Sequence, residues 1–166
     1  MEHIVKTPFA LTLAGAALAL LALAGCATPA STSSSSPPPI AAGTDAAVAT
    51  TDLGTIVVDG KGMTAYFFDK DTADSGSSAC TGQCAANWPA ITSASATPSV
   101  TGITAKVGTI TGVTGDKQLT VNGRPIYTYA GDTAAGDTNG QGVQGVWYVL
   151  SPAGDEITTK PGRSGY

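Results

Sequence analysis

Between residues 51 and 162 the apolar and polar positions repeat with a period of two. Ile103, Ala105 and Val107 alternate with polar neighbours, and Leu119 and Val121 alternate with Gln118 and Thr120. No long stretch carries an apolar stripe at helical spacing. Two turn signals divide the strand-like runs. Asn122-Gly123 lies between Lys117–Val121 and Pro125–Tyr129, and Asp59-Gly60 lies between Thr55–Val58 and Met63–Phe68. Asn-Gly suits a type I′ hairpin turn, which needs positive φ at both central residues. Val146–Leu150 reads as a further strand, and the only helical candidate is a short turn near Cys80–Asn87. The pattern predicts an all-β fold: a small antiparallel domain with one helical turn. Its roughly 110 residues suffice for one modest core and are too few for two domains.

The first 25 residues follow another pattern. Lys6 precedes an almost unbroken Ala, Leu and Gly run from Phe9 to Leu23, in which Thr12 is the only polar side chain. A charged start, an apolar run and small residues before a cut site are the parts of an export signal. The run ends in Leu23-Ala24-Gly25-Cys26, which resembles the lipobox of bacterial lipoproteins. That resemblance implies cleavage before Cys26 and lipidation of its thiol. Several acyl chains give stable membrane anchoring where one gives only marginal binding. Residues 26–50 hold Ala, Thr, Ser and Pro, including Ser36-Pro37-Pro38-Pro39, with no aromatic and one acidic side chain, Asp45. Such a segment buries too little apolar surface to offset its ordering entropy and is expected to be a disordered tether.

The domain from 51 to 162 contains an internal repeat, its halves expected at 51–100 and 101–162. Tyr66-Phe67-Phe68-Asp69-Lys70-Asp71 and Tyr127-Thr128-Tyr129-Ala130-Gly131-Asp132 both fit Tyr-x-aromatic-x-x-Asp, and a tryptophan follows each, Trp88 and Trp147. Cys80-Thr81-Gly82-Gln83-Cys84 leads to Trp88-Pro89, and Asn122-Gly123-Arg124-Pro125 leads to Gly136-Asp137-Thr138-Asn139-Gly140 and Val146-Trp147. In this order of motifs the chain resembles the bacterial predicted lipoproteins with a Yx(FWY)xxD motif, also described as a secreted repeat of unknown function. The resemblance spans roughly residues 51 to 152. It implies fold and exported location and carries no mechanism.

Charge and composition narrow the chemistry. The protein carries a net charge of −4 with no basic stripe, so phosphate backbones would repel it and nucleic acid is not an expected partner. Its one histidine, His3, lies in the export signal. A chain that starts at Cys26 therefore lacks imidazole, which excludes Ser-His-Asp catalysis and histidine-ligated zinc, copper or haem. Glu156 is the only glutamate beyond the signal and sits beside Asp155, a poor basis for a two-carboxylate enzyme. The expectation is a non-catalytic protein.

The motif residues admit two roles. Alternate residues of a strand share a face, so Tyr66 pairs with Phe68, and Tyr127 with Tyr129. They are either core aromatics, with Asp71 and Asp132 closing turns, or a ligand-facing shelf rimmed by those aspartates. A buried tyrosine hydroxyl needs a partner, and an aspartate of the other repeat would provide it. No cofactor is predicted. Asp69, Asp71 and Asp74, and separately Asp137 with Asn139, are weak calcium candidates of the oxygen-donor type, although their spacing fails the EF-hand pattern. Cys80 and Cys84 form an even pair in an oxidising compartment and are expected as a disulfide. Such a pair is either a staple or a redox couple, and it lacks the Cys-x-x-Cys setting of catalytic dithiols.

The expected whole is a lipid-anchored envelope protein whose β domain binds an unidentified envelope protein or small ligand. Its anchor faces out from the cell membrane or into the periplasm, depending on the host envelope. The alternative is an envelope redox or electron-transfer accessory that uses Cys80, Cys84 and the aromatic residues.

Overall fold

The computed structural model describes residues 39–159. The export signal, Cys26 and the first part of the tether lie outside the described residues. Eight strands and one short helix follow in the order β1 (Ala46–Thr51), β2 (Gly54–Asp59), β3 (Tyr66–Phe68), α1 (Gln83–Asn87), β4 (Thr92–Ser93), β5 (Val107–Thr111), β6 (Lys117–Val121), β7 (Arg124–Pro125) and β8 (Trp147–Val149). All ladders between these strands are antiparallel. The all-β expectation holds, and the helical turn falls where the sequence puts it.

The boundary of the tether does not hold. The sequence reading ends it at residue 50, but Ala46 to Thr51 pair along their whole length with β2. Asp45 anchors the entry, its Oδ2 accepting from Ser93 Oγ at 2.9 Å and Ser99 N–H at 2.8 Å. Ile40 already packs against the core. Alanines and threonines look like linker in isolation, yet Ala46 and Ala47 are buried because small side chains fit beneath β2.

The two turn signals have different outcomes. Asn122 (φ 49°) and Gly123 (φ 78°) both take positive φ, and Val121 pairs with Arg124 across them, as a two-residue hairpin demands. The Asp59-Gly60 turn is longer. Asp59 Oδ1 accepts from the backbone N–H of Lys61 and Met63, and the positive φ falls at Gly62. Only a single bridge, Val58 to Thr64, follows. β3 then leaves the hairpin and pairs with β8, Phe68 opposite Trp147 and Tyr66 opposite Val149.

This departure organises the molecule. β3 belongs to the first repeat and β8 to the second. In the mirror arrangement, Thr128 N–H of the second repeat bonds Pro89 O of the first at 2.9 Å, and Ala130 N–H bonds Asn87 O at 2.8 Å. Their counterpart across the dyad is Asp69 N–H on Val146 O at 2.9 Å. At the centre, Tyr66 and Tyr127 exchange both backbone bonds, at 2.8 and 3.0 Å. Each repeat thus places its motif strand beside the tryptophan segment of the other, about a pseudo-two-fold axis between Tyr66 and Tyr127. Side chains alternate across these strands into two cores. Ile56, Val58, Tyr66 and Phe68 enter one, while Val57, Ala65, Phe67 and Leu119 enter the other.

Candidate functional site

The motif side chains meet at the pseudo-dyad. Tyr66 Oη donates to Asp132 Oδ2 at 2.7 Å, and Tyr127 Oη donates to Asp71 Oδ2 at 2.6 Å. Each bond crosses from one repeat to the other. The second oxygen of each carboxylate holds a loop of its own repeat: Asp71 Oδ1 accepts from Ala79 N–H at 2.7 Å, and Asp132 Oδ1 accepts from Asn139 N–H at 2.9 Å. All four residues are buried. One aspartate therefore ties its own loop to the opposite repeat, and the motif does so twice.

Burial, partly offset by these donors, pushes the Asp71 and Asp132 carboxyls above the ordinary aspartate range. It also pushes the Tyr66 and Tyr127 hydroxyls far above the usual phenol value, and the carboxylate each one faces adds to the shift. A phenol beside a buried carboxylate keeps its proton, because losing it would set two negative charges together out of water.

The remaining aromatics form a four-ring stack in the order Phe68, Trp147, Trp88, Tyr129. The centroid spacings are 4.2, 3.7 and 4.3 Å, and the two indoles lie within 3° of parallel. Tyr66 meets Trp88 edge-on at 5.4 Å, and Tyr127 meets Trp147 in the same way at 5.4 Å. The stack obeys the same pseudo-dyad. Gly140 closes one side of it. A Cβ there would come within 2.7 Å of the Tyr66 ring and 2.9 Å of Trp88, while its N–H bonds Tyr66 Oη at 3.2 Å.

A family model described as a secreted repeat of unknown function matches residues 47–92 and again residues 108–151. The chain belongs to this family. The two matches coincide with the halves that exchange strands across the dyad, so the secreted repeat is also the structural unit. No curated protein and no solved structure matches the chain. A secreted repeat is an exported one, and among the described residues no helix is long and apolar enough to cross a membrane.

Within the secreted repeat, the sequence-derived candidates separate. Tyr66, Phe68, Asp71, Trp88, Tyr127, Asp132 and Trp147 come together, but as core. Only Tyr129, at the end of the stack, is half-exposed. The ligand-facing aromatic shelf is therefore corrected to an inter-repeat lock: faces that would receive a ligand are covered by one another, and the rimming carboxylates are occupied by tyrosine hydroxyls and backbone N–H groups.

The calcium candidates do not converge, and no group of three or more such ligands gathers among the described residues. Asp137 Oδ2 accepts from the N–H groups of Thr133 and Ala134, which hold its carboxyl below the ordinary range. Asn139 Nδ2 approaches Gly131 O. Asp74 sits in a positive-φ turn against Gly123. Asp69 lies 3.6 Å from Arg124, whose guanidinium also pairs with Glu156 and stacks 4.3 Å from the Phe67 ring. Calcium is corrected here to turn formation and one ion-pair cluster.

Cys80 and Cys84 are disulfide-bonded. The bridge spans the start of α1, and Trp88 N–H caps that helix on Cys84 O at 2.8 Å. It fixes the turn that delivers Trp88 to the stack. Two contributors escape the motif reading. Ser78 Oγ lies 2.7 Å from Tyr127 Oη, and Gln118 is buried behind it. Serine in a Ser/Gly loop carries no signal of its own. Gln118 reads as the polar, outward member of an alternating strand, and that reading fails because β6 is covered on both faces.

Proposed function

We propose that this secreted repeat protein is a lipid-anchored, non-catalytic binding module of the cell envelope, held from the membrane by Cys26 and presented on a short tether. The observation that supports the non-catalytic part is the reciprocal lock. The paired tyrosines and aspartates, the groups best suited to acid–base work, are buried and saturated with one another. A chain starting at Cys26 brings no histidine to replace them. The anchor rests on Leu23-Ala24-Gly25-Cys26 after an apolar export signal. Mass spectrometry of the mature protein tests it: acylated Cys26 should be the amino-terminal residue, and Cys26→Ala should leave the membrane fraction. An intact amino terminus with a free thiol refutes the reading.

One observation favours a second reading, an electron-transfer accessory: the continuous four-ring stack ends at half-exposed Tyr129, stacked on Trp88, which the Cys80–Cys84 turn delivers. Its test is the potential of the cystine. Structural bridges of exported proteins lie below about −300 mV and labile ones above. A low potential, with function retained in a Cys80→Ser, Cys84→Ser double variant, removes the cystine from that reading.

A further inference from the structure

Two of the clefts combine apolar walls with acidic side chains. One of about 420 Å³ lies beside Asp45, Asp59 and Lys61, and its carboxylates already accept the backbone and serine donors described above. The other, of about 300 Å³, opens between the Ser78–Ala90 segment and the β5–β6 turn and is also lined by Ser78 and Tyr127 of the lock. Gln118 lines it and is 1% exposed. The amide is oriented by its donor, since Nε2 bonds the carbonyl of Ile126 at 3.2 Å. That leaves Oε1 buried with no partner among the described residues. An unmet buried acceptor is destabilising, because it gives up its bond to water and gains none, so the fold alone does not favour it.

The pseudo-symmetry makes the same point independently. Val57 N–H bonds Leu150 O and Val57 O receives Ala65 N–H, while Leu119 N–H bonds Ile91 O and Leu119 O receives Ile126 N–H. Val57 and Leu119 are thus equivalent, and the preceding residues, Ile56 and Gln118, occupy the same place in the two repeats. The fold is content with isoleucine there, fully buried in the first repeat. The second repeat carries an amide there, beside a cleft; its donor side serves Ile126 O and the Tyr127 hydroxyl, and only its Oε1 is left without a use.

The other walls define what fits. Trp88 and Pro89 form an apolar side. Val113 borders the cleft and, at 48% exposure, is the exposed large apolar side chain among the described residues. Asp116 stands at the rim with Thr114 bonded to it at 2.8 Å. An apolar slot with a few placed polar groups is the usual form of a small-molecule site, and this one is at the small end of that range. Its acceptor calls for a donor, and its acidic rim, in a protein of net charge −4, disfavours anions.

We propose that this cleft binds a small, neutral or cationic ring compound that presents an N–H donor to Gln118 Oε1. The site rests on the binding-module reading above and gives it a location. The full chain in detergent micelles is titrated with indole and benzamidine, with benzoate as the anionic control, while NMR follows the Gln118 side-chain amide and the Trp88 ring. The expected result is a saturable shift of both signals with at least one of the two donors and at least about tenfold weaker binding of benzoate. Gln118→Ile, which copies the first repeat and removes the unmet acceptor, should keep or raise the urea midpoint and lose about tenfold or more in affinity. Val113→Arg blocks the mouth without touching the core and should abolish the shifts, so the test survives even if Gln118→Ile folds poorly. No saturable shift with either donor, as a cleft holding only water would give, overturns the site, and so does equal affinity in both variants. Acylation of Cys26 and membrane fractionation are read separately, so loss of the site and loss of the anchored-module reading are distinguishable.

Discussion

The lock makes a specific claim about which residues couple. Tyr66→Phe removes a hydroxyl that donates to Asp132 at 2.7 Å and accepts from Gly140 N–H at 3.2 Å. A bond to a carboxylate contributes about 1.5–3 kcal/mol and a neutral one about 1, so the variant should lose about 3 kcal/mol. Tyr127→Phe should lose a similar amount, because its hydroxyl donates to Asp71 at 2.6 Å and also lies 2.7 Å from Ser78 Oγ. The decisive quantity is the coupling energy. Double-mutant cycles of Tyr66→Phe with Asp132→Ala, and of Tyr127→Phe with Asp71→Ala, should each give about 1.5–3 kcal/mol. The same-repeat pairs, Tyr66 with Asp71 and Tyr127 with Asp132, should be additive within about 0.5 kcal/mol. Urea unfolding followed by tryptophan fluorescence measures all of these. The penalty of Tyr66→Phe should also shrink as the pH falls, because a protonated Asp132 no longer needs a donor and its carboxyl titrates above the ordinary range. Coupling within a repeat that equals or exceeds coupling across repeats would refute the reciprocal arrangement.

Other consequences are as direct. Tyr66 and Tyr127 hold their protons far above the free-phenol value, so the stability they contribute is complete below pH ~10 and is lost as the pH climbs from there. The slope approaches about 2.7 kcal/mol per pH unit for two protons, and Tyr66→Phe should halve it in alkaline urea titrations. Gly140→Ala should cost at least about 1–3 kcal/mol through overpacking against Tyr66 and Trp88, seen as a lower thermal midpoint. The parallel indoles of Trp88 and Trp147, 3.7 Å apart, should give an exciton couplet in the ultraviolet circular dichroism. Trp147→Phe removes it while far-ultraviolet strand signal remains.

The repeat itself was legible because Tyr66/Tyr127 and Asp71/Asp132 recur at a constant spacing, and strand character followed from the period of two. Asn122-Gly123 was legible because its backbone demand is local. What pairs with what was not. Nothing near Tyr66 indicates that Val149, and not the preceding strand β2, lies beside it, since that choice depends on contacts eighty residues apart. The start of the fold was misplaced because Ala46 and Ala47 are linker-like until β2 covers them. The buried Gln118 was hidden by its own alternation pattern, which assumes that one face of a strand meets water. Only comparison with Ile56 in the other half exposes it as unusual.

The exchange of strands has a further implication for how this body holds together. Neither half pairs its own motif strand, since the neighbour of each comes from the other half. A single half made alone should therefore stay unfolded, whereas two halves mixed as separate chains should assemble, and two copies of one half would meet in the same way around a true dyad. The molecule is in that sense a homodimer written into one chain.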